Sequence, residues 1–546
     1  MTRPTAVGGL SRLIKYWLPG GASLLRPNAG AALGTPDLAA LLLPQILPVF
    51  SVVRLRSPGT LAAANFGETS PKPWRRRVAP CYPGAAVRNP ELVQLGQATR
   101  MFIAVIIASL CAVTIGAVTA PTVTFADSRL KNGLRVIIAE NHDAPVFSVA
   151  VAYNVGSRDE RMGRTGFAHL FEHMMFKGSE NVGAGEHFFT IFRNGGTMNG
   201  TTNKERTLYF ETMPANQLDA ALFLEADRMR SLAIVKDNLD NQRNAVQEER
   251  RLRIDNQPYG RADEAIEELA FDNFAYKHSV IGSLDDLDAA SVEDVVSFFK
   301  IYYAPNNAVL AIVGDVNTAS TLEQVRKYFE SIPSQAPPPP VDISQPPQDK
   351  ERRLDIEDPL ARLPRIDIGY RVPSSLSPDD DAIAVLGEIL ASGRSSRLYE
   401  HVVRQKQLAV SARAFVPTSR GPRLFGLEVT PAAGVSLDQL EQAIHSEIDG
   451  IKAGPIANTE MERARNTAQR QFIRSLDSSL ALARNLAEYA LLFENPGRIN
   501  QRWDRLTKLG AADVQRVAKQ FLTPENRTVV ITHPKPASPA DNGGVR

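Results

Sequence analysis

Cysteine is nearly absent from this 546-residue chain: there are two, Cys81 and Cys111, and both precede residue 127. The rest of the chain therefore has no internal disulfide and no thiolate metal site, so any metal there must be held by histidine and carboxylate. Histidine is scarce as well, with eight in the whole chain. A basic excess is missing from residue 126 onward, where 50 Lys and Arg stand against 57 Asp and Glu, which excludes the electrostatic footprint of a nucleic-acid binder. The first 125 residues lack acid instead, with 12 basic residues against three acidic ones. Long apolar runs are missing too, apart from one stretch at 101–120.

That stretch follows Arg100 and runs into Thr124-Phe125-Ala126, which places small residues at the −3 and −1 positions of a cleavage site. Residues 101–126 read as a secretory signal peptide, so the protein is expected to be exported, periplasmic or secreted. The alternative is a membrane anchor retained through 101–120, a stretch just long enough to span a bilayer. Leu110 ahead of Cys111 argues against a lipoprotein site. Signal peptides belong at an N-terminus, so residues 1–100 are expected to be an extension upstream of a true start at Met101. A competing reading makes this acid-poor, arginine-bearing stretch an organelle transit segment.

Beyond residue 126 strand and helix signals mix without strict alternation, which predicts an α+β fold. Residues 134–139, 146–154, 207–213 and 308–313 read as strands. A helix is expected from a Thr165 cap through Lys177, ended by Gly178, and further helices over 216–231 and 237–256. Residues 333–350 hold seven prolines and form an extended linker between a first domain, 127–332, and a second, 351–537, with a tail at 538–546. After the linker the pattern restarts. Ser377-Pro378 opens a helix, and aligning Gly393 with Gly178 superposes residues 382–393 on 167–178. Asp513-Val514 and Pro524-Glu525-Asn526 repeat Asp294-Val295 and Pro305-Asn306-Asn307. The two repeats share nearly the same offset, which indicates an internal duplication into two α/β units, each with a mostly antiparallel sheet.

The chemistry concentrates in His169-Leu170-Phe171-Glu172-His173. Histidines four apart share one helix face and can grip one ion, with Glu172 beside them to handle a water. The second copy has Ala384, Gly387 and Glu388 at the corresponding positions, so one unit carries ligands and the other does not. A hydrolytic zinc site needs a third protein ligand. Glu248 and Glu249, on an expected helix, are both candidates, and periodicity does not choose between them.

Followed at this distance by a glutamate, the motif resembles the insulinase/pitrilysin family of zinc metallopeptidases, in a bacterial two-domain form close to the processing-peptidase branch. The approach Val155-Gly156-Ser157-Arg158-Asp159-Glu160 is similar to the family's. So is Asn194-Gly195-Gly196-Thr197-Met198-Asn199-Gly200-Thr201-Thr202, where Gly200 stands in place of the family's alanine. Asp255-Asn256-Gln257-Pro258-Tyr259-Gly260 resembles bacterial members. The resemblance selects Glu249, because an apolar residue, here Val246, often stands three positions before the third ligand.

It further implies one Zn2+ per chain on His169, His173 and Glu249, with Glu172 as general base. A substrate-docking edge strand would include Gly196 and Asn199. The implied activity is endopeptidase cleavage of extended or unfolded peptides, by a homodimer or a heterodimer with a related subunit. Rival expectations are a non-catalytic scaffold subunit of a peptidase complex and an organellar peptidase that removes targeting peptides. Two places depart from the family or lie open. Gln242 stands where an assisting glutamate is often found. Arg397 and Tyr399, in the second unit, are read as a solvated helix face rather than as substrate contacts.

Overall fold

The computed structural model describes residues 120–535. The extension 1–100, residues 101–119 of the expected signal peptide and the tail 538–546 lie outside the described residues. Ala126, the last residue of that expected signal peptide, opens the first strand.

Six strands form the first sheet: β1 (Ala126–Arg129), β2 (Arg135–Glu140), β3 (Val146–Tyr153), β4 (Thr197–Thr202), β5 (Thr207–Pro214) and β6 (Ala308–Gly314), in the order β1-β2-β6-β3-β5-β4. Five form the second: β7 (Arg352–Asp358), β8 (Arg365–Val372), β9 (Ala409–Phe415), β10 (Arg423–Pro431) and β11 (Arg527–Pro534), in the order β7-β11-β8-β10-β9. Without β1 the two orders are the same. In each, one pairing is parallel (β2 with β6, β7 with β11) and the rest are antiparallel. The expected duplication into two α/β units is therefore a duplication of topology. It also accounts for the sequence offsets. The step from Val146, which opens β3, to Arg365, which opens β8, equals the step from Ala308 of β6 to Arg527 of β11. The helix after β8 comes slightly early, because the loop leading to it is shorter.

Alternation along β3 shows how each sheet is buried. Val149 and Val151 face one side and Ala150 and Ala152 the other, all fully buried. The valine side packs in a core with helix α1 (Phe167–Met174) and helix α2 (Lys236–Arg250), through Leu170, Phe171, Leu239 and Val246. The small-residue side receives a helix from the other half of the chain. The remaining helices used below are α3 (Gly260–Ala270), α4 (Asp380–Leu390) and α5 (Ser479–Leu492). Ala483, Leu486, Ala487 and Ala490 of α5 pack against Ala150, Ala152 and Ala311 of the first sheet. Conversely, Ala262, Ile266 and Ala270 of α3 pack on Leu424 and Val530 of the second. The starts of α3 and α5 are separated by the same step as the paired strands, so equivalent elements are exchanged between the copies. The proline-rich segment runs without regular structure and is held to the body, where Gln345 Oε1 accepts from the backbone of Asp272 and Asn273.

Several helix boundaries differ from expectation; α4, for one, opens at Asp380 behind an Asp379 N-cap rather than at Ser377-Pro378. Thr165 does not cap α1; its hydroxyl donates to Asp286, and the N-cap is Gly166 at φ 84°. The free backbone N–H groups of Gly166 and Ala168 donate instead to the buried Glu160, at 2.9 and 2.8 Å. The helix ends at Met174 rather than Lys177, and Gly178 follows at φ 102°. The helix expected over 237–256 runs as α2 to Arg250 and then widens into a π turn, Arg251–Asp255.

Candidate metal centre

α1 and α2 pack side by side, and this brings the motif to the third carboxylate. The rings of His169 and His173 lie 4.9 Å apart, centre to centre, and nearly perpendicular. Both turn Nε2 toward Glu249 Oε2, at 3.6 Å from His169 and 3.2 Å from His173. Burial of Val246 three residues earlier sets the face of α2 that carries Glu249 inward. Glu248 stands half-exposed at the rim of the neighbouring cavity and pairs with Arg251 at 3.4 Å rather than joining the two histidines. Periodicity left this choice open, and the packing of α2 makes it.

The donor set fits a four-coordinate zinc ion. Ligands about 2.0–2.2 Å from such an ion at tetrahedral angles stand roughly 3.4 Å from one another, close to the two separations found here. The protonation states fit as well, since zinc takes neutral imidazole and ionised carboxylate. Burial, reinforced by the neighbouring charge of His173 and opposed by Glu249, pulls the His169 imidazole down to about 3. Burial opposes ionisation of Glu249, but the hydrogen bond with His173 and the neighbouring basic groups His169, His173 and Arg253 outweigh it and hold the carboxyl at about 2.

Glu172, one residue before His173, leaves the ligand set and faces β4. Thr202 Oγ1 donates to its Oε2 at 2.6 Å. Burial pushes its carboxyl up, with the Thr202 hydrogen bond and His173 opposing. Sequence reading placed Thr202 in the docking segment but gave it no role. Its partnership depends on β4 lying across α1, which no local pattern encodes.

Two cavities meet at this centre, and His169, Thr202, Glu249 and Arg253 line both. One, of about 540 Å³, holds Glu172 and His173 and has apolar walls in Phe176, Phe188 and Leu252. The other, of about 610 Å³, lies between the two sheets and includes Asp367, Phe415 and Glu428 from the second half. Its walls carry six carboxylates and three Lys and Arg, and the acids are already paired: Glu267 with Lys204, Glu264 with Arg250, Glu428 with Arg413, and Asp263 and Asp367 with Arg365. Of the two expected docking residues, Asn199 lines the apolar-walled cavity. Gly196 lines neither; it is packed, with room for a Cβ closed by Met213 and Ile191, and its N–H is used by Ile191 O. Gln242 is buried and donates to Asn241. Arg397 makes a paired contact with Glu460, at 2.7 and 2.9 Å, and neither it nor Tyr399 lines these cavities.

Two other clusters among the described residues bring three metal-type donors together: His187 with Glu211 and Glu225, and Asp263 with Asp367 and Glu428. Each already holds a buried arginine. Arg228 binds both oxygens of Glu225, and Arg365 reaches Asp263, Asp367 and Glu428. A fixed internal cation disfavours a second one. At the first centre the corresponding cation, Arg253, is exposed to solvent and sits on the outer oxygen of Glu249.

A duplicated α/β fold with an inverted His-x-x-Glu-His helix in its first copy alone defines a class. Residues 135–283 match the family described as Insulinase (Peptidase family M16), and residues 289–468 match the Peptidase M16 inactive domain. The chain belongs to this family. It is 32% identical over 409 residues to the zinc protease PqqE of Helicobacter pylori, covering 74% of this chain and 92% of that protein. It is 25% identical to a probable mitochondrial-processing peptidase subunit beta of Arabidopsis thaliana, covering 72% and 75%. Among solved structures, a protease from Helicobacter pylori superposes with a TM-score of 0.73 at 30% identity, over 76% of this chain and all of that one. The peptidase M16 inactive domain from Pseudomonas fluorescens shares the fold, with a TM-score of 0.68 at 17% identity over 76% and 99%.

Proposed function

We propose that the protein is a zinc-dependent metalloendopeptidase that hydrolyses peptide bonds in extended or unfolded peptides. The observation that carries this reading is the convergence of His169 Nε2, His173 Nε2 and Glu249 Oε2 beside a carboxylate, Glu172, that is not part of the set. His169, His173 and Glu249 would hold one zinc ion. When bound, zinc polarises the peptide carbonyl and lowers the pKa of a water. Glu172 takes the proton from the attacking water and returns it to the leaving amine. Thr202 occupies Oε2 of that carboxylate, which leaves Oε1 for the proton. β4 is the edge of its sheet, and a peptide added there as a further strand passes Glu172 with its backbone paired. Asn199 stands on that wall.

Purified protein should contain zinc and cleave an unstructured peptide library. Glu172→Gln should keep the zinc and lose activity by roughly 10²–10⁴-fold. Bound zinc without Glu172-dependent cleavage would sink the enzyme reading and leave a scaffold, or a subunit that needs a partner. Assembly as a pair, with itself or with a related subunit, is part of the proposal, supported by the likeness to a named processing-peptidase subunit. An organellar processing role is the alternative reading of the leader. Export through cleavage after Ala126 is proposed from the leader sequence, and N-terminal sequencing of the secreted or periplasmic protein tests it.

A further inference from the structure

We propose that Arg253 is a positioning residue for the metal centre: it holds the Glu249 carboxylate in the orientation that presents one oxygen to zinc. The inference rests on the zinc reading above and assigns a residue that the motif does not include.

Glu249 ends a flexible side chain at the last turn of α2, and either of its oxygens could turn inward. Arg253 removes that freedom. Its Nη1 lies 2.8 Å from Glu249 Oε1, while Oε2 faces His173 and His169. The pair is spaced i,i+4 with the acid first, the favoured order on a helix. The backbone between them changes from α to π at Arg251, and such widened turns recur at functional sites. Three other basic side chains of this region are committed elsewhere or point away. Arg250 binds Glu264 and Gly282 O, Arg251 pairs with Glu248, and Arg243 reaches the backbone of Leu287 and Ala290. Of these four, Arg253 alone lines both cavities beside the centre.

With 73% of its side chain exposed, Arg253 contributes little to folding. Its charge is also screened by water, so it orients the carboxylate without the repulsion a buried cation would exert on a metal. Partners that fix a ligand in this way are typically worth 10–100-fold in metal affinity.

The test compares zinc dissociation constants of the full chain by competition with a chromogenic chelator, for wild type, Arg253→Met, Arg253→Lys and His169→Ala. Arg253→Met should weaken zinc binding roughly 10–100-fold. Arg253→Lys keeps one donor and the charge but not the planar fork, and should recover part of the loss. Melting temperatures of the metal-free proteins should agree, and saturating zinc should restore most of the kcat of Arg253→Met. If Arg253→Met binds zinc as wild type does while His169→Ala fails, the role of Arg253 is overturned and the metal centre stands. If wild type binds no zinc, or His169→Ala binds it equally well, both fall.

Discussion

The hydroxyl of Thr202 ties down one oxygen of Glu172 and, in the proposed mechanism, leaves the other for the proton. Thr202→Val keeps the shape and removes only the donor. A hydrogen bond to a charged group contributes about 1.5–3 kcal/mol, so kcat should fall roughly 10–100-fold with little change in KM or zinc content. An unchanged kcat would show that Thr202 does not orient the base. The glycine at position 200 belongs to the same arrangement. A Cβ there would lie 2.8 Å from Glu172 Cγ, so the glycine lets Glu172 lie close against β4. At this scale His169, Glu172 and His173 were legible from spacing, because one helical turn is a local rule. Glu249 became legible only through the resemblance, and its separation from Glu248 depends on Val246 being buried and Arg251 pairing with Glu248. Thr202 and Arg253 were not legible, since each acts on a neighbour through geometry that pattern does not carry.

At the scale of elements, strand positions agreed with expectation to within a residue, whereas the capping group of α1 did not and its end came three residues early. Thr165 satisfied the local rule for a cap, but Glu160 reaches the free N–H groups from six residues back and wins because it is buried and held by His278 at 3.0 Å. The seam where α3 meets the second sheet carries a pH dependence. Asp367 on β8 is buried beside Asp263 of α3 and Glu428 of β10. Burial, helped by those two carboxylates and opposed by Arg365, pushes its carboxyl up to about 7. An acid whose folded value is raised adds stability that is complete below its unfolded value of about 4 and is lost as pH rises through about 7. Asn at this position keeps an acceptor for Arg365 Nε and cannot ionise. Asp367→Asn should therefore melt above wild type at pH 8, and the difference should shrink to about a third at pH 5. Equal differences at both pH values would remove Asp367 as the source.

For the whole molecule, the duplication was visible in two offsets, but the exchange of helices was not, because amphipathic periodicity says that a helix packs and not which sheet it packs on. That exchange sets how the chain can fold. The first sheet covers Ala150, Ala152 and Ala311 with α5, from beyond the proline-rich segment, and the second covers Leu424 and Val530 with α3, from before it. Polar contacts follow the same crossing. Arg206 binds Glu488 of α5 at 2.7 Å, Ser148 meets Ser479 at 2.9 Å, and Tyr276 and Ser419 share Glu205 at 2.7 and 2.8 Å. A chain cut in the proline-rich segment would leave each half with one bare sheet face and one stranded helix. Such contiguous apolar surface is a liability in a monomer. Residues 120–332 and 351–535 expressed separately should therefore show no cooperative thermal transition, and should yield a soluble, cooperatively melting complex when co-expressed. Because the cavity beside the metal centre takes walls from both sheets, only that complex should recover Glu172-dependent cleavage. Two halves that each melt cooperatively alone would mean that the exchanged helices decorate finished folds rather than complete them.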